Sequence, residues 1–241
     1  MQGFFILGKP IIISMTKTGK FLISCVALFA GLNLSFGQQV LTVNLDRIET
    51  ITSNISSENY YPSLKQRFIT LDSSLSNKHV HFLYYGQYFE GTYQPDKQDD
   101  AQKEMFKLIK KGNFDQAVDT GLVSFNSAPL NLRTIFGLSI CYLSLDNKEL
   151  ADKYMSMYYQ IMEVVMESGT GRKKHKAFVT MCIDDEYEII SSLNKKVRKQ
   201  KLIDMKTDVL YLTNMEGRRN IVKFKKIYFN VEILMLKSSL E

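Results

Sequence analysis

The chain has 241 residues, of which 45% are hydrophobic, and it carries 31 basic against 25 acidic side chains for a formal net charge of +6. A chain this long buries a real core without disulfide staples, so its three cysteines exclude a disulfide-dependent scaffold. Lys9, Lys17 and Lys20 lie in the first 37 residues, so the remaining 204 carry only +3, which argues against a nucleic-acid binder.

The start of the chain reads as an export signal. From Met15, Lys17 and Lys20 form a positive n-region, Phe21 to Leu34 is almost wholly apolar, and Ser35-Phe36-Gly37 supplies small residues at a cleavage point after Gly37. Residues 1–14, broken by Gly8-Lys9-Pro10, read as an upstream extension, with the signal peptide over 15–37. A membrane anchor needs about 20 apolar residues, and the lysines cut this run to about 14. Leu22-Ile23-Ser24-Cys25 resembles a lipidation box, but an apolar run follows Cys25 where a polar tether is expected. The expected location is therefore exported, with contact to the membrane only during export. A lipoprotein anchored through Cys25 is the alternative.

Beyond the signal, Leu45, Ile48, Ile51 and Ile55 have helical spacing behind Asn44 as N-cap. A second helix is expected from Pro62 to about Leu75, with the proline in its first turn. Tyr84, Tyr85, Tyr88, Phe89 and Tyr93 then form an aromatic cluster interrupted by Gly86 and Gly91.

Residues 98–166 carry the strongest pattern. Gly112-Asn113-Phe114-Asp115-Gln116-Ala117 is echoed by Asp146-Asn147-Lys148-Glu149-Leu150-Ala151, with the two alanines 34 residues apart, the tetratricopeptide period. Leu108 and Tyr142 take the large position before each alanine, and Pro129 falls where the repeat carries its proline. Met105 and Ser139 stand where a smaller residue is usual, and Ala101 and Ile135 replace the usual aromatic. Each helical pair has an apolar face to bury against a neighbour, so the flanks must cap the two units.

After Gly169 the pattern changes. Ala177 to Ile183 reads as a strand. A helix follows, with Asp184 or Asp185 as N-cap and Glu188 at capping-box spacing from Asp185. Asp208 to Thr213 reads as a second strand; Ile221 to Phe224 and Ile227 to Ile233 read as two more, or as one bulged strand. The expected fold class is α+β, mainly α: tetratricopeptide-like helical hairpins over 38–168, then a small C-terminal antiparallel β-sheet with one helix over 169–241, packed as one unit.

The order of Leu83-Tyr84-Tyr85-Gly86, the repeat-like helices, Ser168-Gly169-Thr170-Gly171, Asp185-Glu186-Tyr187-Glu188 and Ile227-Tyr228-Phe229-Asn230-Val231 resembles a secreted family of Gram-negative bacteria, domain-of-unknown-function 4919. The resemblance covers most of residues 45–234. It implies the helical-plus-sheet layout and a periplasmic or extracellular location, and it implies no activity. The basic loop Arg172 to Lys176 departs from the more neutral loop of the family.

Asp184, Asp185, Glu186 and Glu188 are the densest carboxylates. Such a group can serve hydrolysis, hold a divalent cation, or simply answer the positive end of a helix. Burial in a cleft would favour a hydrolase using Asp184–Glu188; a solvated helix start would favour capping. His79 and His81 would share a face only on a strand, and the stretch reads as helix. Cys141 and Cys182 carry no catalytic signature and either pair or sit as small buried hydrophobes. No G-x-S-x-G occurs, and Gly169-x-Gly171 is too short for a dinucleotide loop. The basic runs at 172–176, 195–201 and 223–226 read as solvated loops and helix ends. The expectation is a non-catalytic domain of the cell envelope, without cofactor or metal, that binds another protein or peptide. Tyr158 and Tyr159 are the candidate interaction surface.

Overall fold

The computed structural model describes the backbone of β1 (Gln2–Ile6), β2 (Lys9–Met15) and β3 (Phe21–Ile23), and then residues 43–238 apart from 96–98 and 219–221. The first three strands form a small antiparallel sheet of their own. Cys25 and the expected cleavage after Gly37 lie outside the described residues.

Three short helices open the domain: α1 (Leu45–Thr52), α2 (Tyr61–Ile69) and α3 (Asn77–Gly86). Asn44 caps α1 as expected, its side chain accepting from the Arg47 N–H at 2.9 Å. Pro62 sits in the first turn of α2, which stops at Ile69 rather than running to Leu75. Leu71 then turns the chain with φ of 58°. The two histidines lie on α3: His79 closes a capping box with Ser76, and burial lowers the pKa of His81.

The repeat-like region forms two consecutive helical hairpins, α4 (Asp100–Lys111) with α5 (Phe114–Ser127) and α6 (Leu132–Ser144) with α7 (Lys148–Glu167). The sequence echo is a structural one. Gly112 and Asp146 both take the left-handed conformation, at φ of 78° and 58°. The next N–H in each hairpin returns to the large residue five back, Asn113 to the Leu108 carbonyl and Asn147 to that of Tyr142. Ala117 and Ala151 are buried where the helices close. Met105 fits where a smaller residue is usual because its neighbours are glycines. A Cβ on Gly121 would lie 2.6 Å from the Met105 sulfur, and one on Gly137 would lie 2.4 Å from its terminal carbon.

The C-terminal part holds β4 (Phe178–Val179), α8 (Ile183–Ser192), β5 (Lys195–Ile203), β6 (Thr207–Asn214), β7 (Lys226–Asn230) and α9 (Glu232–Ser238). The sheet order is β4-β7-β6-β5. It is mixed rather than antiparallel, because β4 pairs parallel to β7. Two helices accompany it instead of one, since residues 232–238 turn into a helix rather than extending β7. The basic run at 195–201 is an edge strand, not a loop or helix end. One hydrophobic core spans both parts: Leu138 and Ile161 from the hairpins, Ile189 from α8, and Leu210 and Phe229 from the sheet are all fully buried.

Candidate functional site

Three tyrosines from the aromatic cluster tie the α3 region to β4 and the start of α8. Tyr85 donates to the Val179 carbonyl at 3.1 Å, and Tyr93 donates to the Met181 carbonyl. The Tyr84 hydroxyl accepts from the Met181 N–H at 2.9 Å and donates to Asp185 Oδ2 at 2.5 Å. Tyr84 and Tyr85 are wholly buried, so these rings act as core and staple.

The staples bring the start of α8 against the hairpins and leave a cleft of about 690 Å³ between them. The first turns of α4, α6 and α8 all border it, together with the loop that carries Tyr93. A network of buried polar side chains holds α4, α5 and α6 together beneath it. Asp99 caps α4 and accepts from Ser124 at 2.6 Å; Ser124 meets Thr134 at 2.8 Å; Gln102 donates to Asn131 and Thr134.

Of the acidic cluster, Asp184 and Asp185 line the cleft. Neither is the N-cap, which is Cys182 and makes no side-chain cap bond; Asp185 is the third residue of the helix. Asp184 is exposed, whereas Asp185 is only 1% exposed. Burial pushes the Asp185 carboxyl up to about 7, although the Tyr84 hydroxyl and Cys182 thiol beside it favour its charged form. No donor completes a hydrogen bond to its Oδ1. Glu186 points elsewhere: it is fully buried, neither carboxyl oxygen has a partner, and Asp208 of β6 is among the charges that act on it. Burial raises its pKa to about 9, so it is protonated at neutral pH. Simple capping therefore does not account for this cluster.

Of the remaining candidates, Cys182 lines the cleft, and Tyr158, Tyr159 and Cys141 fall outside it. Tyr158 is buried against Phe136, with ring centroids 5.3 Å apart, and Tyr159 is half-buried beside it. Cys141 and Cys182 are both free thiols, and burial raises Cys141 to about 12. Among the described residues no three His, Cys, Asp or Glu side chains are grouped to hold a metal ion.

The cleft went unseen in the sequence because Tyr84 and Asp185 stand 101 residues apart. One signal was present: Ile189, Ile190 and Leu193 lie three, four and seven residues beyond Glu186, which puts Glu186 on the buried face of α8.

Tyr84→Phe tests the staple. It leaves the Met181 N–H and Asp185 Oδ2 without their partner, and a buried orphan group costs about 1–3 kcal/mol. The expected results are a loss of that order in urea unfolding and an Asp185 pKa above that of the parent in carboxyl NMR.

This architecture is a mainly helical α+β domain with a polar cleft where three helix starts meet. The chain belongs to the family described as Domain of unknown function (DUF4919), whose model matches residues 46–239. Neither a curated protein nor a solved structure matches it.

Proposed function

We propose that the protein is an exported, non-catalytic domain of the cell envelope that binds a segment of another protein or peptide in this cleft. The supporting observation is the cleft itself, a space of about 690 Å³ bordered by the starts of α4, α6 and α8 and walled in part by the exposed Asp184 and the buried Asp185. A concave space with a few convergent polar groups is the usual form of a binding site. The signal-like residues 15–37 support export, and no helix among the described residues is long and apolar enough to cross a membrane. Two measurements test this reading. Mass spectrometry of the mature chain should find Gln38 at its start; a diacylglyceryl group on Cys25 would replace free export with a lipid anchor. A photo-cross-linking residue at Thr92, exposed on the cleft rim, should form an adduct with a polypeptide in the native host, and the same group at Lys196 on β5 should not.

One observation favours a second reading, a hydrolase. An Asp185 carboxyl titrating near 7 beside Asp184 in a cleft has the protonation range of a general acid or base. Glycoside and peptide substrates incubated with the mature protein at pH 6–8 test this. Turnover abolished by Asp185→Asn would establish an enzyme, and absence of turnover would leave the binding domain.

A further inference from the structure

Charge is segregated along the chain. Residues 38–168 carry 12 basic and 16 acidic side chains, a net of −4, whereas residues 169–241 carry 16 basic and 9 acidic, a net of +7. The basic runs at 172–176, 195–201 and 223–226 hold 12 of those 16, and the fold gathers all three around one sheet. The run at 195–201 lies in the edge strand β5, and 223–226 leads into β7. The loop at 172–176 flanks β7, where the Gly171 carbonyl accepts from the Tyr228 N–H at 2.9 Å, and its Lys174 pairs with Asp204 in the β5–β6 turn. Helix α8 lies on one face of the sheet, where Tyr187 donates to Gln200 at 2.8 Å. Register and alternation place Lys196, Lys199 and Lys201 of β5, Tyr211 of β6, and Lys226 and Tyr228 of β7 on the other face. No acidic side chain stands on that face of the three strands. Its four lysines are exposed and make no ion pair among the described residues.

We infer that this cationic face docks on a bilayer surface rich in anionic phospholipid, a contact separate from the cleft. Charge complementarity calls for an anionic partner, and each cation near such a surface strengthens binding about fivefold. Two further observations select a bilayer over a linear polyanion. The rings that could stack on bases are engaged by the protein's own cations: Lys226 lies 5.3 Å from the centroid of Tyr228, and Arg172 lies 5.9 Å from that of Phe224. An apolar tip also adjoins the cations. Met205 stands in the β5–β6 turn with φ of 55°, a conformation that favours glycine, and its side chain is 68% exposed. Leu202 nearby is 38% exposed. The ion pairs Lys174–Asp204 and Lys206–Glu232 fix the turn on either side of Met205. An apolar tip flanked by cations can enter the headgroup layer while the lysines meet phosphates, and a phosphate chain in water offers the tip nothing.

The test uses the chain without residues 1–37, whose apolar run would enter lipid by itself; one core spans the rest. It is floated with vesicles of phosphatidylcholine alone or with about 40% phosphatidylglycerol. Binding to the anionic vesicles is expected to be at least about tenfold tighter than to the neutral ones, and to fall at least about tenfold between 50 and 500 mM salt. Lys199→Gln combined with Lys201→Gln, both at exposed positions, should weaken it at least about tenfold. Lys110→Gln combined with Lys111→Gln, the same charge change at exposed positions of α4, should alter it by less than about twofold. The chain has no tryptophan, so Met205→Trp supplies a single reporter whose emission should shift to the blue on anionic vesicles only. All variants are checked for folding by amide NMR. Equal binding to neutral vesicles, equal losses in the two lysine pairs, or bound Met205→Trp with the emission of a water-exposed indole would each overturn the inference. Binding of a single-stranded oligonucleotide or a heparin fragment without vesicle binding would also overturn it, and would assign the face to a linear polyanion. The Thr92 cross-link and vesicle binding are separate readouts, so the cleft and the cationic face can each fail alone.

Discussion

Glu186→Gln is expected to stabilise the protein at neutral and alkaline pH and to flatten its pH dependence. In the folded state burial, reinforced by Asp208 and Asp185, holds the Glu186 carboxyl protonated up to about 9, against an ordinary value of 4.5. Between those values the folded chain binds a proton that the unfolded chain has lost. Stability therefore falls as pH rises, by up to about 1.4 kcal/mol per unit for this group. Asp185 adds a fall of the same sign between 3.8 and about 7. Acidic pH thus favours the fold, and near pH 8 the Glu186 contribution reaches an upper bound on the order of 5 kcal/mol. Glutamine keeps the shape and removes the ionisation, so urea unfolding of variant and parent should diverge from pH 5 to pH 8 and converge near pH 4.5. Parallel curves across that range would mean that Glu186 is ionised in the native protein.

Gly169→Ala is expected to be among the most damaging single substitutions in the domain. The added Cβ would lie 2.3 Å from the Ala177 carbonyl oxygen, 2.7 Å from its carbon and 2.8 Å from the Lys176 oxygen. All three are backbone atoms in a loop closed by its own hydrogen bonds. Thr170 and Gly171 both donate to the Lys176 carbonyl at 2.9 Å, and the Ser168 hydroxyl accepts from Val179 N–H at 2.8 Å. Relief requires breaking these bonds and shifting β4, which carries the link to α8 and so one wall of the cleft. A loss of about 3 kcal/mol or more is expected. Gly91→Ala is the control: a Cβ there meets nothing within 4 Å, and its cost should stay within about 0.5 kcal/mol. Thermal unfolding of the two variants beside the parent decides the matter, and equal midpoints would show that the loop opens freely.

The hairpins were legible in the sequence because their determinants are local: the Gly112 and Asp146 turns, and the small Ala117 and Ala151 where each pair closes, each act within a few residues. The sheet was only partly legible. The β5 strand is written almost wholly in cations, which suits an edge whose side chains are solvated and which resists pairing with other chains. A register shift between Val197 and Lys199 breaks its alternation as well. Apolar residues after Asn230 read as more strand, yet they form α9, whose start is marked by the Asn230 side chain accepting from Glu232 N–H. The acidic cluster was visible, but its burial was not. Whether Asp185 caps a helix or lines a cleft depends on Tyr84 arriving from a distant helix, and no residue near Asp185 in the chain encodes that.

The central proposal is that the cleft is a docking site organised by Asp185. The most direct test is the Thr92 photo-cross-link carried out in the native host with Asp185→Asn and with Glu186→Gln, both checked for folding by amide NMR. An adduct is expected in the parent and in Glu186→Gln, reduced at least about fivefold in Asp185→Asn. An adduct of equal yield in Asp185→Asn, or none in the folded parent, would contradict it.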